Sequence, residues 1–221
     1  MSMILHIHTG LEKAYVAVSK DLECLSYRAN EFQKDHGSFL QPAIQDIILE
    51  AKSTLHDLDA ISVMNGPGSY TGLRVGLSAA KGLCYALKKP LICLSTLEWL
   101  AWPFKNKEAD LICSLIDARR MEVFTAMYQK DMSVYIPEHP EIIDENSFSE
   151  IKDNRILFTG NGRNKLPKQI TLHKNVLLPD HISDIQEQIE MTLKRFTEGK
   201  FNELAYTEPN YGKAFYTTAK V

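Results

Sequence analysis

No apolar run in this 221-residue chain is long enough to cross a bilayer, and its amino-terminal MSMILHIHTG lacks both the basic start and the apolar length of a secretory signal. Charge of one sign is missing as well. Twenty-five lysines and arginines stand against 28 aspartates and glutamates, a net charge of −3. Each part of the chain is balanced in sign, with 9 basic and 10 acidic residues up to Leu100 and 16 and 18 after it. That leaves no polybasic footprint for autonomous, tight binding of RNA or DNA. Cysteine is sparse. Cys24, Cys84, Cys93 and Cys113 lie far apart, with no CxxC or Cys/His metal spacing, and read as small buried hydrophobes of a reducing, cytoplasmic compartment. Nor is there a G-x-x-x-x-G-K-[ST] phosphate loop or a G-x-S-x-G nucleophile elbow. The remaining composition, 44% hydrophobic and 24% charged, is that of a folded domain. A chain of this length buries about 70% of its unfolded surface, enough for a core without disulfides.

Hydrophobic periodicity divides the chain into two similar halves. Met3 to His8, Ala14 to Ser19 and Leu22 to Ser26 read as three short strands. Leu40, Ala43, Ile44, Ile47, Ile48 and Ala51 then recur at helical spacing. Ala60 to Asn65 is a buried strand stopped by Gly66-Pro67-Gly68, and a helix follows from about Tyr70 to Leu87. Leu91 to Leu94 is a strand, and Ser95-Thr96-Leu97-Glu98 has the pattern of a capping box. The second half restarts with strands at Leu111 to Asp117 and Val123 to Tyr128, with a weaker one near Val134. A short helix near Ser147 to Lys152, a strand at Ile156 to Thr159 and a final helix complete it. That helix opens at a second box, Ser183 to Gln186, turns Ile185, Ile189, Leu193 and Phe196 to one face, and ends at Gly199. Each half therefore reads β-β-β-α-β-α, an α/β fold with mixed sheets, and the expected domains are residues 1–102 and 103–221, parted around Pro103.

Five of the eleven glycines fall between Gly66 and Gly82. Gly68, Gly72, Gly76 and Ala80 are spaced by four, which predicts one stripe without side chains along a helix. Glycine within a helix costs about 1 kcal/mol relative to alanine, so such a stripe implies a close compensating contact. Two readings are open: packing of this helix on the chain's own sheet, or close approach of a partner's helix. The amides near Ser69 are a further candidate, for an anion. His6 and His8 alternate toward one face of their strand as a conceivable metal pair, with no third ligand placed by spacing. Asp117-Ala118-Arg119-Arg120 is either a phosphate contact or a salt-bridged turn.

The segment Gly66-Pro67-Gly68-Ser69-Tyr70-Thr71-Gly72-Leu73-Arg74-Val75-Gly76, followed by Ala80-Lys81-Gly82-Leu83, resembles the TsaB (YeaZ) family. So do His36-x-Ser38 with Leu40-x-Pro42-Ala43-Ile44, Ser95-Thr96-Leu97-Glu98, and Asp117-Ala118-Arg119-Arg120-x-Glu122-Val123. This family supplies the partner subunit of the bacterial tRNA threonylcarbamoyladenosine machinery. Its catalytic paralogue, TsaD, shares the glycine segment but carries H-x-E-G-H where this chain has Thr96 and Leu100. The resemblance implies an actin-like ATPase (ASKHA, ribonuclease H-like) fold of two related domains. It also implies a non-catalytic scaffold that binds a TsaD-like subunit, with a TsaE-like ATPase as third member and tRNA held mainly through the complex.

The interface implied by the resemblance comprises Leu40, Ile44, Ile47, Gly68, Tyr70, Gly72, Leu73, Gly76 and Ala80, which selects the partner reading of the stripe. The same helices are the expected seat of a homodimer. ATP or ADP is expected, if anywhere, at the subunit boundary, and Thr9, Gly10, Asp117 and Arg119 are its candidate contacts. His8 stands where the family's first strand has an aspartate, which argues against ATP hydrolysis. Pro209-Asn210-Tyr211-Gly212-Lys213 departs from the family's Pro-x-Tyr-Leu-Arg. The alternative is a metal-dependent glycoprotease-like enzyme or weak ATPase acting on its own.

Overall fold

The computed structural model describes residues 1–32, 35–148, 153–181 and 183–213. The first sheet comprises β1 (Met3–His8), β2 (Ala14–Lys20), β3 (Glu23–Asn30), β4 (Ala60–Met64) and β5 (Leu91–Leu94), in the order β3-β2-β1-β4-β5. β1, β2 and β3 are antiparallel neighbours, and β4 and β5 run parallel to β1. The second sheet, from β6 (Leu111–Asp117), β7 (Glu122–Gln129), β8 (Val134–Ile142), β9 (Ile156–Thr159) and β10 (Val176–Leu177), repeats that order as β10-β9-β6-β7-β8. An antiparallel meander followed by parallel strands, occurring twice, is the duplicated ribonuclease H-like arrangement of the actin-like ATPases.

Strand alternation sorts the first sheet's side chains onto two faces. Leu5, Ile7, Val16, Val18, Ile61 and Val63 meet α1 (His36–Glu50) and α2 (Tyr70–Leu87), which bury Leu40, Ile44, Ile47, Leu77, Ala80 and Cys84 against them. Ile4, Ala60, Met64 and Ile92 point the other way, into a core shared with the second sheet's Ile112, Ile116, Ala126 and Tyr128. Because β1, β4 and β5 are covered on both faces, they read as near-continuous apolar runs.

The two sheets take their strands from residues 3–94 and 111–177, but the helices cross between them. α3 (Thr96–Ala101) packs on β6 and β7 of the second sheet, while α5 (Ile185–Thr197), from the far end of the chain, returns to the first sheet at β2 and β5. Leu97 and Trp99 of α3 and Met191 of α5 fill the one core between the sheets. The halves are thus interlocked, each lending a helix to the other's surroundings.

Other expectations are corrected in detail. The Ser95 hydroxyl caps α3 by accepting from the Glu98 N–H at 3.2 Å, but Glu98 pairs with Arg195 of α5 at 2.6 Å and does not complete a box. The second box sits one residue later than Ser183: Asp184 accepts from the Gln186 N–H, and Glu187 accepts from the Asp184 N–H, both at 2.8 Å. α5 buries Gln188, Ile189, Met191 and Thr192, while Leu193 and Phe196 are only half-buried. Its face turns toward polar partners, the Ile7 carbonyl for Gln188 and the Ser62 hydroxyl for Thr192. The short helix expected near 147–152 falls largely outside the described residues. β8 is a full nine-residue strand, and Pro137 and Pro140 are tolerated in it because it lies at the sheet edge. Among the described residues no helix is long and apolar enough to cross a membrane.

Candidate functional site

The turn from β4 into α2 is built by close approach to the end of β1. The Ser69 N–H donates to the Gly10 carbonyl at 2.7 Å, and the Thr9 hydroxyl donates to the Gly72 carbonyl at 2.7 Å. A β-carbon at Gly68 would fall on the Gly10 carbonyl, one at Gly72 on the Thr9 carbonyl, and one at Gly76 on the Thr9 hydroxyl. The stripe is therefore filled by the chain's own first strand. This corrects the reading of it as open to a partner's helix. Leu40, Ile44, Ile47, Leu73 and Ala80 are likewise buried in the monomer, at 0–2% exposure, so their side chains hold the helices to the sheet. Of the nine expected interface residues, Tyr70 alone is exposed; its ring stacks on Tyr211 at 4.7 Å, and Arg74 donates to its hydroxyl at 2.8 Å.

A different surface is left outward. Thr71, Arg74, Ser78, Gly82 and Tyr85 of α2 and Pro42, Gln45, Asp46 and Leu49 of α1 are exposed. Leu49 and Tyr85 are large apolar groups, 77% and 81% exposed; on α2, Tyr85 follows the small Ser78 and Gly82 by seven and three residues, on the same side of the helix. Sequence reasoning followed the stripe at 68, 72, 76 and 80 and passed over the second one. Thr71, Ser78 and Gly82, seven and four residues apart, were its legible signal.

The candidate nucleotide contacts stay in separate places. Thr9 is fully buried, and its hydroxyl and the Gly10 carbonyl are already engaged by α2. Asp117 accepts from the ammonium of Lys165 and from the Arg119 N–H at 2.6 Å; Lys165 holds its carboxyl below the usual range. This is the salt-bridged turn, with Arg119 at φ +69° and Arg120 at +50°. A cavity of about 110 Å³ is lined by Pro67, Leu97, Phe124, Glu138, His139, Asn210 and Gly212, and one of about 490 Å³ by residues that include Trp102, Lys105, His181 and Glu190; neither is lined by Thr9, Gly10, Asp117 or Arg119.

The interior histidines are neutral. His6 exchanges a hydrogen bond with Ser19 at 2.8 Å, and His8 lies between the rings of Tyr15 and Trp99 at 4.8 and 4.9 Å. Burial pulls both imidazoles down to about 3, with His36 adding to the effect on His8. Thr96 and Leu100, at the paralogue's ligand positions, are buried too. Among the described residues, no three His, Cys, Asp or Glu side chains converge to hold a metal ion.

A glycine-bearing α2 seated on the first of two ribonuclease H-like sheets defines a protein of the actin-like α/β class. Residues 30–176 match the family model of the tRNA N6-adenosine threonylcarbamoyltransferases, TsaD. Over nearly the whole chain the similarity is to another branch. The tRNA threonylcarbamoyladenosine biosynthesis protein TsaB of Escherichia coli is 28% identical, across 94% of this chain and 93% of that protein. TsaB of Bacillus subtilis is 29% identical across 79% and 74%, and TsaB of Buchnera aphidicola from Acyrthosiphon pisum is 30% identical across 68% and 69%. The solved structure of YeaZ from Pseudomonas aeruginosa superposes with a TM-score of 0.79, at 23% identity, over 95% of this chain and 99% of that one. The chain belongs to the TsaB (YeaZ) family.

Proposed function

We propose that this protein is a non-catalytic scaffold subunit in the biosynthesis of tRNA N6-threonylcarbamoyladenosine, docking a TsaD-like catalytic subunit on the outer faces of α1 and α2. The observation that carries this reading is the exposure of Leu49 on α1 and of Tyr85, with Ser78 and Gly82, on α2, two helices whose inner faces are already filled. Small residues allow helices to approach closely, and the two large apolar groups supply area that water does not reward. A specific contact needs about 800 Å² per partner, which two helices of 15 and 18 residues can provide. A TsaE-like ATPase is the third member. The net charge of −3 suits a subunit that leaves most of the tRNA contact to its partners.

Co-purification with the catalytic subunit tests this. Gly82→Trp and Tyr85→Glu should abolish it while leaving the melting temperature within a few degrees of wild type. Retention of the complex by both variants would refute the assignment of this face. The same face suits a second copy of the chain, so a homodimer, if formed, should be displaced by the catalytic subunit in light scattering. The alternative, an autonomous metal-dependent protease or weak ATPase, predicts stoichiometric metal by elemental analysis or phosphate release from ATP by the isolated chain.

A further inference from the structure

After α5 the chain does not leave the molecule. Asn202 bonds the edge of β5, its N–H to the Leu91 carbonyl at 2.8 Å and its Oδ1 accepting from the Cys93 N–H at 2.7 Å. The segment then runs along α2, where the Lys81 ammonium donates to the carbonyls of Ala205 and Thr207 at 3.3 and 2.9 Å. At the β4–α2 turn it is gripped by the backbone. The Asn210 N–H donates to the Asn65 carbonyl at 2.8 Å, and Asn65 Nδ2 donates to the Glu208 carbonyl at 2.9 Å. A side chain at Gly66 would fall on the Asn210 carbonyl.

The same few residues reach the other domain. Asn210 Nδ2 donates to Glu138 of β8 at 2.7 Å, a β-carbon at Gly212 would fall on the Phe124 ring of β7, and Lys213 pairs with Glu122. Glu138 also accepts from the Ser95 hydroxyl at the start of α3, so one carboxylate ties strap, second sheet and α3 together. Its burial in this position pushes its carboxyl up, as expected for a carboxylate closed over by the strap.

We propose that residues 205–213 are a strap that fastens the two domains across their cleft, with Asn210, Gly212 and Glu138 as its clasp. Strap release leaves the shared core and the exchanged helices α3 and α5 as the remaining ties and lets the domains hinge about them. The seat alongside α2 places the strap next to the outer helix face, though the proposal does not depend on any partner binding there.

The test is a pulsed spin-label distance measurement on the full chain in a Cys24→Ser background, with labels at Gln45→Cys and Asp131→Cys, combined with amide exchange. With the native strap one narrow distance is expected. Asn210→Ala with Gly212→Val removes the Glu138 bond and sets a β-carbon against Phe124, so a second, longer distance population should appear, with faster exchange in residues 65–70 and 205–213. Asn210→Ala alone should show the same change more weakly, and serves if the double variant fails to fold. Fast exchange of 205–213 with the distance unchanged would overturn the proposal, because the strap would then be passive. So would unchanged exchange of the strap itself.

Discussion

Two glycines of α2 make opposed predictions that separate the inner from the outer face of this helix. Gly72→Ala and Gly82→Ala both gain about 1 kcal/mol of helix propensity. At Gly82 nothing beyond the helix's own backbone and the adjoining residues lies within 4 Å of the new methyl, so the gain is realised and the isolated chain should become more stable by about 1 kcal/mol. At Gly72 the methyl falls on the Thr9 carbonyl and within 3.4 Å of the Ser69 β-carbon. Relief requires α2 to lift from β1, which breaks the 2.7 Å Thr9–Gly72 hydrogen bond as well. Overpacking of a tight core costs about 1–3 kcal/mol, and a lost buried hydrogen bond with an orphaned partner another 1–3 kcal/mol. The net is a loss of roughly 1–5 kcal/mol once the propensity gain is subtracted. Urea unfolding of the monomer followed by circular dichroism measures both. A Gly72→Ala chain as stable as wild type, but unable to bind its partner, would refute the inward placement and restore the stripe to the interface.

Acid should weaken the fold from about pH 6.5 downward. His6 and His8 have their imidazoles held near 3 by burial, so below pH 6.5 the unfolded chain takes up protons that the folded chain refuses. Their stabilising contribution is complete above pH 6.5 and falls by about 1.4 kcal/mol per pH unit for each histidine on the way down, about 4 kcal/mol for the pair by pH 5. Urea midpoints at pH 7 and pH 5 test this, and His6→Gln with His8→Gln should flatten the slope. Thr192→Val keeps the shape of α5 but removes the 2.7 Å bond to Ser62, costing about 1–2 kcal/mol in the same assay. Burial pushes the thiols of Cys84, Cys93 and Cys113 up to about 12, so iodoacetamide at pH 8 should leave them unmodified in the native chain. Mass spectrometry should then show at most one adduct, at Cys24, and four in urea.

Much of the architecture was legible because it is written in local periods. Leu40, Ile44 and Ile47 mark α1 by their spacing; the apolar runs of β1, β4 and β6 mark strands covered on both faces, and Gly66-Pro67-Gly68 marks where β4 must stop. β8 was faint in the sequence because its buried neighbours are few and its two prolines imitate a loop, whereas an edge position needs donors on one side alone. The cap of α5 was misplaced by one residue, since Ser183 and Asp184 have equal capping chemistry and only the geometry of Glu187 selects between them.

Composition and periodicity therefore settle the element types and the doubling of the unit, because helix and strand formation respond to neighbours a few residues away. They do not settle which surface of an element faces inward when both are made of small residues. On α2, Gly72 and Gly82 are the same residue with the same propensity. Only the arrival of Thr9 from 63 positions earlier in the chain places one in the core and leaves the other in water. The exchange of α3 and α5 between the sheets, and the return of Asn210 to Asn65 and Glu138, have the same origin. Contacts between residues so distant in the chain have no period to be read and exist only once both sheets have been built.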